Sequence, residues 1–149
     1  YKIKCSIGKR GIRKKRVEGD KTTPRGTFKI KYLLYRKDRL SVIRTKLKKY
    51  VIKKNMGWCD DLNTTKYNKL IKLPSSFKHE KLYRKDHIYD LILVINYNMN
   101  PTLKNRGSAI FIHVARKNYS PTRGCVAMSK IDIKILLKNL EKENKIIID

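Results

Sequence analysis

A histidine and a cysteine stand twelve positions apart in the last third of the chain, His113 in Ile112-His113-Val114 and Cys125 in Ser120-Pro121-Thr122-Arg123-Gly124-Cys125-Val126. A thiol must become a thiolate to attack a carbonyl, and a nearby imidazole can take its proton and later return it to a leaving amine. Cys125 is therefore the candidate nucleophile and His113 its proton acceptor. Gly124 has no Cβ, so the backbone before the cysteine can bend sharply and expose amide hydrogens. The amides of Gly124 and Cys125 are the candidate oxyanion hole, in which the loss of one donor costs roughly 3 kcal/mol of transition-state stabilisation. Both reacting groups are side chains, so this chemistry requires neither a metal nor an organic cofactor. On composition alone the plainer reading is stronger: a buried thiol and a hydrogen-bonded histidine.

His79 and His87 are alternative bases in principle, but each lies in a polar stretch beside charged residues, where a histidine is usually exposed. Cys5 and Cys59 are far apart without C-x-x-C spacing, which argues against zinc. They read as two buried thiols, or as one long-range disulfide if the compartment oxidises. With three cysteines in all, at least one thiol is free unless a partner chain pairs with it.

The elements that must hold this pair are mostly strands. Tyr1 to Ile7 alternates apolar and polar side chains, the period of a half-buried strand, and a glycine-containing basic loop runs on to Asp20. Pro24 and Gly26 punctuate a turn that feeds a strand over 27–35. Residues 36–86 are polar, weakly periodic and broken by Gly57 and Pro74, so short strands and loops are expected there. Residues 88–97 and 109–114 are nearly continuous apolar and β-branched, as in strands buried on both faces, and both should be central. His113 then ends a buried strand, and Cys125 follows a glycine turn, places where a side chain is held rigidly yet can be reached. Ser129 offers a helix N-cap, with Ile131, Ile135, Leu136 and Leu140 at helical spacing, which predicts a helix at about 130–143. Residues 145–148 close the chain as a strand.

At 149 residues the chain has the length of one domain, 1–149. No stretch approaches the ~20 apolar residues needed to span a bilayer. With 38 Lys plus Arg against 12 Asp plus Glu, the net charge is +26, a field that attracts polyanions such as nucleic acid or an anionic cell envelope. Lys, Ile and Asn dominate together, so much of the charge reads as compositional bias. Apart from the cluster Lys9-Arg10 and Arg13-Lys14-Lys15-Arg16, the basic residues are spread along the chain. No aromatic stacking motif or zinc finger accompanies them, so nucleic acid is not expected as a partner.

The string I-H-x-A-x(5)-P-T-R-G-C-V-A-M-S, preceded by Gly107-Ser108-Ala109-Ile110-Phe111, resembles the active-site segment of the L,D-transpeptidase catalytic domain, also called YkuD-like. Glu18-Gly19-Asp20 and Thr23-Pro24-Arg25-Gly26-Thr27-Phe28 resemble the family's T-P-x-G-x-F segment. Gly57-Trp58-Cys59-Asp60-Asp61, Tyr67-Asn68 and Tyr89-Asp90-Leu91 are similar to one branch of it. The resemblance implies a mainly β (β-rich α+β) fold, a sandwich of mixed sheets with a flanking helix. It implies peptidoglycan stem peptides as substrate: Cys125 attacks the carbonyl on the L-centre of a diamino acid, D-Ala leaves, and an acceptor amine takes the acyl group from the thioester. It also implies a periplasmic or cell-envelope location, with any leader outside the given chain, and slow acylation of Cys125 by carbapenems. Water as acceptor would make the protein an L,D-carboxypeptidase, and an inactive wall-binding or polyanion-binding module is the non-enzymatic alternative. Many members carry a second His directly before the Gly, where this chain has Arg123, so His113 must act alone, and Arg123 reads either as a binder of a substrate carboxylate or as a plain solvated side chain. Thr122, Ser120 and Trp58 complete the expected substrate-binding set.

Overall fold

A computed structural model describes residues 1–14 and 17–149. In chain order its elements are β1 (Cys5–Ser6), β2 (Ile12–Arg13), β3 (Thr23–Pro24), β4 (Gly26–Tyr35), β5 (Lys49–Val51), β6 (Met56–Cys59), β7 (Leu70–Lys72), β8 (His79–Lys81), β9 (Leu91–Ile95), β10 (Phe111–Val114), β11 (Val126–Met128), α1 (Lys130–Asn139) and β12 (Lys145–Ile148). The main sheet runs β1-β11-β10-β9-β4-β12, with β5 paired to β4. It is mixed: β10 pairs with β11 and β4 with β5 in parallel, the other neighbours antiparallel. A three-stranded antiparallel sheet, β7-β6-β8, and a short parallel pair, β2-β3, complete the strands. The mainly β architecture with one flanking helix is thus as the sequence implies.

The apolar runs 88–97 and 109–114 become β9 and β10 at the sheet's centre, and every residue of both strands is buried. Because successive side chains point to opposite faces, such a run must be covered on both sides. Leu91, Leu93, Ile112, Val114, Val126 and Met128 share one core with Ile133 and Leu137 of α1. Ile92, Val94, Phe111 and Cys125 share another with Leu34, Ile52, Trp58, Leu82 and Tyr89. Burying Ile133 and Leu137 contributes roughly 2 kcal/mol each. Helix α1 therefore packs on one face of the sheet, and Cys125 lies on the other.

Several boundaries differ from expectation. Only Cys5 and Ser6 of the first seven residues pair, because β11, their partner, is three residues long. Ser6 points inward and Cys5 is exposed, so the expectation of two buried thiols holds for Cys59 alone; both cysteines are free. The basic loop contains β2, while Lys15 and Arg16 of its cluster lie outside the described residues. Helix α1 starts where expected: Ser129 Oγ accepts from the Asp132 amide at 3.0 Å. It stops at Asn139 rather than 143, since Leu140 turns into extended backbone (φ −73°, ψ 134°) and buries its side chain. Among the described residues no helix is long and apolar enough to cross a membrane.

Candidate active site

Cys125 precedes β11 and His113 is the third residue of β10, its parallel neighbour. The register sets His113 level with Ala127, and so Phe111 level with Cys125. Residues two apart along a strand share a face, so the imidazole and the thiol project from the same side of adjacent strands, their Cα atoms about 8 Å apart for ordinary strand spacing. The sulfur is framed by backbone: Cys125 Sγ donates to the Ala109 carbonyl at 3.1 Å and accepts from the Phe111 amide at 3.3 Å. An amide aimed at sulfur favours its anionic form, and the carbonyl holds the resting thiol's proton. Cys125 is 8% exposed, within the core that includes Phe111 and Tyr89.

Ala109 has φ +53°, a left-handed conformation that costs a residue with a Cβ on the order of 1 kcal/mol. Asn68 holds it there. Its Oδ1 accepts from the Ala109 amide (3.1 Å) and from Trp58 Nε1 (3.0 Å), while its Nδ2 donates to the carbonyls of Tyr97 and Asn98. A second brace acts just upstream, where Ser108 Oγ donates to Glu18 Oε2 at 2.9 Å and the Gly107 amide donates to Tyr67 Oη at 3.0 Å. Tyr67 itself donates to Glu18. Residues 18, 58, 67 and 68 thus converge on the segment that shapes the surroundings of the thiol.

His113 is 7% exposed, and burial pulls its pKa down to about 4, aided by Arg116 and Arg84 against a raising contact with the Val114 carbonyl. The imidazole is therefore neutral at physiological pH, as a proton acceptor must be. With Nδ1 donating to the Val114 carbonyl at 2.9 Å, Nε2 is left as the basic nitrogen. The ring stands edge to face against Tyr89, centroids 5.4 Å apart. Tyr89 Oη donates to Glu80 Oε1 at 2.5 Å. Burial raises the Tyr89 phenol well above its usual value, reinforced by the charge of Glu80. Glu80 reaches this place because β8 sets it opposite Trp58, and the Trp58 ring packs edge-on against Phe111 at 5.0 Å. Burial raises the Glu80 pKa; the Tyr89 hydroxyl, Arg84 and Arg123 oppose that rise.

Set beside known families, residues 1–148 match the family model described as the L,D-transpeptidase catalytic domain (YkuD). The chain belongs to the YkuD family. Comparison with curated proteins gave no match, nor did comparison with solved structures.

Within a YkuD domain the expected substrate residues separate into different classes. Arg123 is exposed beside the thiol turn, where a guanidinium can meet a carboxylate. Ser120 is half-buried, its amide on Asn118 Oδ1. Thr122 holds the turn: its Oγ1 donates to the Cys125 carbonyl at 2.6 Å and accepts from the Gly124 amide at 3.1 Å. The Gly124 amide, expected in the oxyanion hole, is thereby directed into the turn, and the turn's sharpness shows in Gly124's φ of +141°. Trp58, expected to line the groove, is 2% exposed with its N–H engaged by Asn68, so it offers no face to a substrate. His79 and His87 make local contacts, to the Phe77 carbonyl and to Asp90. Asp90 is fully buried; burial opposes its charge, but Lys130, Arg39 and His87 outweigh burial and hold its pKa low. Among the described residues no group of three or more His, Cys, Asp or Glu side chains is placed to hold a metal.

Glu80 and the Ala109 carbonyl were missed by sequence reasoning. Glu80 is one acidic residue in a polar stretch, and a carbonyl has no residue type to betray it. Asn68 carried a signal only through its resemblance to one branch of the family.

Proposed function

We propose that this YkuD domain is a cysteine-dependent L,D-transpeptidase acting on tetrapeptide stems of peptidoglycan in the cell envelope. In the first half-reaction Cys125 Sγ attacks the carbonyl on the L-centre of the stem's diamino acid as its proton passes to His113 Nε2. The carbonyl oxygen becomes an oxyanion that the Cys125 amide can face, with the Gly124 amide joining once its bond to Thr122 is exchanged. The C–N bond then breaks, His113 returns the proton to the departing amine of D-Ala, and a thioester remains. In the second half-reaction His113 takes a proton from the acceptor amine as its nitrogen attacks the thioester, and the thiol is restored. Arg123 pairs with a substrate carboxylate.

The observation that carries this reading is a sulfur held between the Ala109 carbonyl and the Phe111 amide, on the same sheet face as a neutral His113. Since the resting thiol keeps its proton on a carbonyl and the imidazole is a weak base, proton transfer accompanies attack instead of preceding it. Incubation with muropeptides, followed by mass spectrometry of wild type and Cys125→Ala, tests the proposal. Loss of D-Ala release and of cross-linked dimers in the variant supports it, tripeptide without dimers means water is the acceptor, and unchanged products remove it. The likeness to the YkuD family further suggests slow acylation of Cys125 by carbapenems, read as a mass adduct missing from Cys125→Ala.

A further inference from the structure

The outer side of α1 is unusual for a helix that already buries Ile133 and Leu137. Ile131 is 71% exposed and Ile135 36%, and next to them in space Val42 is 68% exposed. Together with Arg44, Lys134 and Lys138 these three line a shallow groove of about 310 Å³. Along the helix the pattern is Ile131, Lys134, Ile135, Lys138, spacings that put all four side chains on one solvent-facing side. The helix thus has two apolar stripes, one in the core and one outside, the outer one flanked by cations. The nearby acids are engaged elsewhere: Asp132 with Ser129 at the helix start, and Glu141 with Lys46.

We infer that this face docks on an anionic lipid surface. Exposed isoleucines flanked by lysines match the two layers of such a surface, acyl chains for the apolar side chains and phosphate headgroups for the ammonium groups. A polyanionic polymer would engage the lysines and leave the isoleucines and Val42 in water. A second copy of this chain would bring Arg44, Lys134 and Lys138 against their equivalents, in a molecule of net charge +26. The topology adds a further argument, because Ile133 and Leu137 pack on the face carrying Ile112 and Val114 while Cys125 and Phe111 belong to the opposite face. Docking through the outer stripe of α1 therefore leaves the whole sheet between lipid and thiol. The inference does not depend on the proposed reaction.

The test is flotation of the full chain with vesicles of phosphatidylcholine alone and of phosphatidylcholine mixed with phosphatidylglycerol. Binding to the mixed vesicles at least about tenfold tighter than to the zwitterionic ones is expected. Lys134→Gln with Lys138→Gln should weaken it about 25-fold, and Ile131→Ser with Ile135→Ser about tenfold. All four positions are exposed, and D-Ala release from soluble muropeptides, where present in the parent, should be unchanged in both double variants. Equal binding to both vesicle types overturns the inference. So does an isoleucine variant that binds as well as the parent while the lysine variant does not, since that marks attraction by charge alone. A concentration-dependent dimer in sedimentation that the isoleucine variant abolishes overturns it as well, in favour of self-association.

Discussion

The central strands carry two faces built from alternate residues of the same segments, and the faces differ in how they are held. Toward α1, Leu91, Leu93, Ile112, Val114, Val126 and Met128 pack on Ile133 and Leu137, and the interior is aliphatic. On the other face Phe111, His113 and Cys125 meet Trp58, Tyr89 and Glu80, and directional bonds set the arrangement: Tyr89 to Glu80, Trp58 to Asn68, the thiol to Ala109. Aliphatic packing tolerates small adjustments, whereas a thiol and a base must be held to within a fraction of an ångström. One face supplies stability that is not tied to chemistry, and the other supplies geometry.

The contrast breaks most visibly at His113. His113→Gln keeps a donor for the Val114 carbonyl and removes the proposed base, so kcat/KM for D-Ala release should fall about 10³-fold with the fold intact by circular dichroism. Asn68→Ala removes four hydrogen bonds and puts Ala, which tolerates left-handed backbone less well than Asn, at φ +56°, which should cost about 3 to 4 kcal/mol in urea unfolding. It should also lower kcat/KM, because Ala109 loses its hold. Leu137→Ala on the aliphatic face should cost about 3 kcal/mol in the same titration and leave kcat/KM of the folded protein unchanged. If Leu137→Ala slowed the reaction as Asn68→Ala does, the division between the faces would be wrong.

Acid pH sharpens the same comparison. Above about pH 6.5 His113 is neutral in both folded and unfolded chains; below it the unfolded chain takes up a proton that the buried imidazole refuses until about pH 4. Stability therefore falls as pH drops through that window, by on the order of 3 kcal/mol from this residue. The loss should be smaller by that amount in His113→Gln, measured by urea midpoints at neutral and acid pH. The smallest effect belongs to the helix start, where Ser129→Ala should cost about 1 kcal/mol and leave the acid slope untouched.

Much of this was legible in local pattern. The β-branched runs gave β9, β10 and the body of β4, and Ser129 the start of α1, because each depends on neighbours a few residues away, whereas the turn expected at Pro24 and Gly26 is instead the end of β3 and the first residue of β4. Cys125 and His113 stood out as candidates because their side chains are rare and reactive. The bracing was not. Asn68 meets Ala109 across 41 positions and Glu18 meets Ser108 across 90, and no periodicity encodes such pairings. Trp58 misled for a related reason: an indole suits a groove and a core equally well until the partner of its N–H is known. The helix end was misplaced because Leu140 continues the apolar spacing while its backbone has already left the helix.

The turn that presents the thiol is tied to the opening residues: the Thr122 amide donates to the Ile7 carbonyl, the Lys9 amide donates to the Thr122 carbonyl, and Gly8 bridges Thr122. Contacts so remote along the chain are entropically slow to close, so the loop before Cys125 takes shape late in folding, after the central strands have collapsed. A newly made chain passes through its most exposed, aggregation-prone stages without a shaped thiol. The surroundings of the Cys125 thiol are complete only when the fold is.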